Sequence, residues 1–71
     1  METFKTMSVK ICKSKQDWAT NLYDFNNNMW YTVNSKYAMA CGLVIGKIYN
    51  VDVKLVKGDK YTNIEKITKV Y

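Results

Sequence analysis

The sequence predicts one small, mainly β domain spanning residues 1–71, with an α+β fold on an antiparallel sheet as the alternative. Three observations carry that expectation. Residues 3–13 and 47–56 alternate apolar and polar side chains with the period of a half-buried strand. The tetrad "KGDK" at 57–60 supplies a turn between two β-rich runs. The aromatic content of 14% argues against a disordered chain, which would lack aromatic and β-branched residues. At 71 residues the chain is near the lower limit for folding alone, so its core contributes only a few kcal/mol and self-association or a partner would help.

In the first predicted strand, "TFKTMSVKICK", Met7, Val9 and Ile11 share one face, while Thr6, Ser8 and Lys10 share the other. Residues 14–25, "SKQDWATNLYDF", have two readings. Ser14 followed by Asp17 resembles a capping box, and Trp18, Leu22 and Phe25 recur at helical spacing. In a small barrel the same residues would form a loop leading into a second strand. The triplet "NNN" at 26–28 reads as a turn. In "MWYTV", residues 29–33, a buried Val33 would put Trp30 on the outer face; the opposite reading buries Trp30 and exposes Tyr31.

Residues 35–42, "SKYAMACG", are expected as a short helix with Ser35 as N-cap and Gly42 as the stop. Gly46 marks a bend or bulge before the next strand. In that strand Tyr49, Val51, Val53 and Leu55 share a face opposite Asn50, Asp52 and Lys54. The last segment spaces Ile64, Ile67 and Val70 by three, which suits a helix or a bulged strand; its β-branched content and the preceding turn favour the strand.

The net charge is +5, and all eleven basic residues are lysine. Residues 36–71 hold most of the excess, which points to a polyanion partner or to a lysine-rich solvated surface. Without arginine the chain lacks the usual bidentate reader of guanine, so any nucleic-acid binding should rest on phosphate contacts and base stacking. Without histidine it also lacks the common acid–base, nucleophilic and Cys/His zinc sites. No enzyme activity, cofactor or metal is expected. Cys12 and Cys41 are read as buried free thiols of a cytoplasmic protein rather than a disulfide. The start has no continuous apolar core of a signal peptide, and the apolar run around residues 37–46 is too short to span a membrane.

From "WYTV" through "GLVIGKIYNVDVKLVKGDKYTNIEKI", within residues 29–67, the chain resembles the closing half of small OB-fold modules that bind single-stranded nucleic acid. Gly46, Lys47, Tyr49 and Val51 stand in the entering strand, and Tyr61, Asn63 and Ile64 in the leaving one. The resemblance implies a five-stranded OB-like barrel with one or two short helices. It also implies that the turn between strands 4 and 5 borders a ligand cleft. The small size and the lysine- and asparagine-rich composition resemble bacteriophage or viral accessory proteins.

The candidate nucleic-acid-binding residues are Trp30, Lys47, Lys54, Lys57, Lys60 and Tyr61. Lysines would hold phosphates, and Trp30 and Tyr61 would stack bases. Ordinary structural roles stand beside these: turns are hydrophilic by default, and Tyr61 could cap the core. Asp17 and Asp24, seven residues apart, are read as a cap and a solvated charge rather than a metal or acid–base pair. Two functions follow as expectations. One is binding of single-stranded nucleic acid without strong sequence preference. The other is a small viral effector that docks on a host or viral protein through leftover aromatics. An exposed edge strand would also allow a homodimer.

Overall fold

The computed structural model describes residues 2–59 and 62–71. It contains β1 (Glu2–Lys13), β2 (Ala19–Asp24), β3 (Met29–Asn34), α1 (Ser35–Ala40), β4 (Ile48–Lys57) and β5 (Thr62–Val70). The strands form one antiparallel sheet in the order β3-β2-β1-β4-β5. The sheet curls so that its outer strands, β3 and β5, approach each other. A half-barrel with its helix between the third and fourth strands is the OB-like, mainly β arrangement the sequence predicts.

β1 is long enough to serve two partners. Its first nine residues pair with β4, from Glu2↔Val56 to Lys10↔Ile48, and Lys10 to Lys13 pair with β2. Its alternation sends Met7, Val9 and Ile11 inward, where they meet Leu22, Tyr31, Val33, Ala38, Leu43, Val51, Val53, Leu55 and Ile67. Val33 is buried and Trp30 exposed, so β3 adopts the first of its two expected orientations. Tyr49 packs against this core half-buried.

Residues 14–25 form a tight turn and a strand, not a helix. Thr20, Leu22 and Asp24 alternate inward; Asn21 and Tyr23 are half-buried between them. The residues that mimicked helical spacing lie at opposite ends of this segment, with Trp18 before β2 and Phe25 after it, both exposed. Ser14 caps no helix; its hydroxyl accepts from the Gln16 amide 3.1 Å away, closing a local turn. Asp17 and Asp24 share no face. Asp17 is exposed, whereas Asp24 is fully buried and accepts from the backbone amides of Asn26 and Asn27 and from the Asn27 side chain. The "NNN" triplet is therefore an Asx-type turn, completed by Asn28 at φ 54°.

The N-cap of α1 is Asn34, whose side chain accepts from the Lys36 amide at 2.9 Å. Ser35, expected in that role, instead ties the helix to the β1–β2 turn. Its hydroxyl donates to the Asp17 carbonyl and lies 3.0 Å from the Thr20 hydroxyl. At the other end Leu43 N–H bonds to the Ala38 carbonyl and Gly42 N–H to that of Met39. This paired pattern requires a left-handed residue, supplied by Gly42 at φ +80°.

β5 is a strand whose register against β4 shifts between Asp52 and Val53 and again between Lys54 and Leu55. The shifts explain the three-residue spacing: Ile64 pairs with Leu55 and Ile67 with Val53, so both meet inward-facing residues. Across the open seam, the Tyr37 hydroxyl of α1 accepts from the Ile67 N–H at 2.7 Å. The helix thereby satisfies an edge donor of β5 that no strand reaches.

Tyr37→Phe removes that acceptor and leaves the Ile67 N–H unpaired. We expect a loss of about 1–3 kcal/mol in denaturant unfolding. Amide exchange at Ile67 should accelerate more than at the β1–β4 ladder; uniform acceleration would mean that the contact does not hold the seam.

Candidate nucleic-acid interface on the outer sheet face

The outward residues of the three strands β1, β2 and β3 form two short rows. Lys10 pairs with Tyr23 and Tyr23 with Trp30; beside them Cys12 pairs with Asn21 and Asn21 with Thr32. Neighbouring strands lie about 4.8 Å apart, so each row is roughly 10 Å long. The Tyr23 and Trp30 rings stack with centroids 4.4 Å apart and planes inclined at 28°. The Tyr23 hydroxyl donates to the Asn28 side chain at 2.8 Å, which fixes that ring from the adjoining turn. The Thr32 hydroxyl donates to the side-chain Oδ1 of Asn21 at 3.0 Å. Trp30 remains 57% exposed, so a large flat ring is held by Tyr23 while much of its surface faces water.

Such a ring is a costly residue to expose without a partner, and its stacked support restricts its rotamers before any ligand arrives. Lys10 completes the row with an exposed ammonium. Ile48, the partner of Lys10 on β4, continues the row, and Lys47 precedes it with its carbonyl accepting from Ile11 N–H at 2.9 Å.

Of the residues singled out from the sequence, Trp30 and Lys47 thus flank this surface. Lys54 and Lys57 do not join it. They stand six and nine residues beyond Ile48 on β4, about 20 Å or more along the strand. Lys54 is half-buried and ion-paired with Glu65 at 3.1 Å. Lys57 is exposed at the strand's end. Lys60 and Tyr61 lie outside the described residues. Tyr23 and Lys10 were not singled out from the sequence. The signal for Tyr23 was the alternation of Asn21 and Tyr23 against Thr20, Leu22 and Asp24, hidden by the competing helical spacing; Lys10 was placed on the outer face of β1 but given no role.

Between these two ends of the outer face lies a polar zone. Thr6 and Tyr71 both donate to the Asp52 carboxylate, and Ser8 donates to Asn50. The bonds from Thr6 and Tyr71, with a lesser contribution from the nearby Lys69 ammonium, hold the Asp52 carboxyl below its usual value against the opposing effect of desolvation. Tyr71 is correspondingly raised, chiefly because its hydroxyl must keep its proton to donate to Asp52. Inside the barrel Tyr31 is also raised, first by burial and then by the charge of Asp24.

Among the described residues no group of three or more Cys, Asp or Glu side chains is arranged to hold a metal ion, and no helix is long and apolar enough to cross a membrane. Cys12 and Cys41 are free and half-buried. Comparison with protein-family models, with curated proteins and with solved structures finds no match.

The Asp52 linkage has a defined sign. Its folded pKa is lowered, so its contribution to stability is present above the ordinary 3.8 and is lost as pH falls through the folded value. In Tyr71→Phe the Asp52 titration midpoint, read by side-chain carbonyl NMR, should move up toward 3.8. An unchanged midpoint would remove Tyr71 from the network.

Proposed function

We propose that the chain binds single-stranded nucleic acid without strong sequence preference. The observation that carries this reading is the exposed Trp30 ring stacked on Tyr23 in one row with Lys10. A base stacks on a flat aromatic whatever its identity, and the neighbouring ammonium meets the phosphate. The row lies on the β2–β3 face, the surface that OB-fold barrels use for oligonucleotides. The net charge of +5 favours a polyanion. The absence of arginine suits backbone contacts rather than duplex base reading. Lys47 extends the positive end of the row.

A second reading rests on a different surface. Trp18, Met39, Val44 and Ile45 are each more than half exposed, and they line grooves between the β1–β2 turn, α1 and the segment leading to β4. A tryptophan clustered with methionine and aliphatic side chains in this way suits a protein-docking patch. Under that reading the chain is a small viral effector acting on a protein.

Fluorescence anisotropy of a labelled single strand of about 20 nucleotides, beside a duplex of equal length, separates the two. Binding that favours the single strand and weakens steeply with salt supports the first reading. Trp30→Ala should then cost about 1–3 kcal/mol of affinity. Lys10→Gln should lower the logarithmic salt slope by about 0.7 if Lys10 meets one phosphate. No binding at low salt, where lysine electrostatics act most strongly, would end the nucleic-acid reading and move attention to the groove beside Trp18.

A further inference from the structure

The outer face carries a second aromatic and basic row that the Trp30 site does not use. Phe4 on β1 points outward, as Thr6, Ser8 and Lys10 do, and is 69% exposed. It pairs with Lys54 on β4, and Lys54 pairs with Lys66 on β5. Lys66 is exposed, whereas Lys54 is half-buried and ion-paired with Glu65 at 3.1 Å. At the other end of the same face the row therefore offers an exposed apolar ring in line with the exposed ammonium of Lys66, with the Lys54–Glu65 ion pair between them.

Phe4 has no internal reason to be aromatic. A residue on the outer face of a half-barrel contributes little to the core, and the exposed ring is a surface on which a base can stack. The surrounding charge chooses the class of occupant. An exposed ring in line with the exposed ammonium of Lys66 suits an anion that carries flat apolar groups, which describes a nucleotide chain.

β1 links the two rows. Phe4 and Lys10 are six residues apart on the same face, about 20 Å along the strand. At a rise of about 3.4 Å per nucleotide that distance is bridged by about six nucleotides, and by fewer if the chain is stretched. Between the rows lie Thr6, Ser8, Asn50 and Asp52. Their hydroxyls are committed to Asp52 and Asn50, and the ionised Asp52 repels phosphate. The connecting nucleotides would cross this zone without a strong contact, leaving two separate points of attachment.

Resting on the proposed binding of single strands, we propose that the Phe4 row, with Lys66, is a second nucleotide-binding subsite, so that one strand engages both rows at once. Binding at two linked points depends sharply on length, because the second contact is gained only when the strand spans the gap.

The test compares oligothymidylates of 4 and 12 nucleotides. In the wild type the 12-mer should bind about a hundredfold more tightly than the 4-mer, well beyond the gain from its extra registers. The double variant Phe4→Ala, Lys66→Gln should keep the 4-mer affinity and reduce that ratio to below about tenfold. Lys66→Gln alone, which leaves the Phe4 side chain in place, should give an intermediate ratio. Trp30→Ala should weaken both oligomers. A double variant with the wild-type ratio overturns the second subsite while leaving the Trp30 site standing. A wild type that binds neither oligomer overturns both.

Discussion

β1 is the constraint on which the structure depends. One strand must pair along both edges, and Lys10 does so within a single residue, facing Ile48 on one side and Tyr23 on the other. That double pairing sets the order of all five strands and forces the sheet to coil around the inward side chains of β1. It also fixes the outer face. Because strand side chains alternate with period two, a slip of one residue in β1 would bury Lys10 and expose Val9 and Ile11. The core and the Lys10–Tyr23–Trp30 row are two faces of the same register.

The devices around the sheet solve a problem of size. Five short strands leave an open seam between β3 and β5, and a six-residue helix is too short to hold by propensity alone. α1 is fixed instead by its ends and by one side chain. Asn34 caps it, Ser35 binds it to the β1–β2 turn, Gly42 terminates it, and Tyr37 reaches Ile67 across the seam. Buried Asp24 performs a similar service for the β2–β3 turn, where its carboxylate replaces missing backbone partners and draws Lys5 to 3.9 Å. A domain with so little core relies on local polar closures to make its strands meet.

Strands with one clean face were legible in the sequence. β1 and β4 alternate without interruption, whereas β3 had two orientations until the structure buried Val33. Two segments were harder, for identifiable reasons. In β2 the aromatic residues beyond each end imitate a helical stripe, and only pairing with β1 and β3 removes the ambiguity. In β5 the register shifts convert a period of two into an apparent period of three. The site followed the same division. Trp30 was singled out as a candidate from one of two orientations of β3; Tyr23 was not, because β2 was not recognised as a strand with an outer face. The lysines of the β4–β5 hairpin drew attention through their local density, yet Lys54 and Lys57 stand far along β4 from Trp30, a separation set by strand pairing rather than by sequence.

Both tryptophans are already in contact with water in the folded chain, Trp18 beside the helix and Trp30 on the sheet. Their emission will therefore shift little when the protein unfolds, since indole fluorescence moves to the red mainly when a buried ring becomes hydrated. The usual optical signal of unfolding is weak in this molecule, and folding is better followed through the amide circular dichroism of the sheet. The same placement gives a benefit. Quenching of indole emission in the native protein reports what comes to rest on its surface, and replacing Trp18 with phenylalanine would leave a single intrinsic reporter on the sheet face.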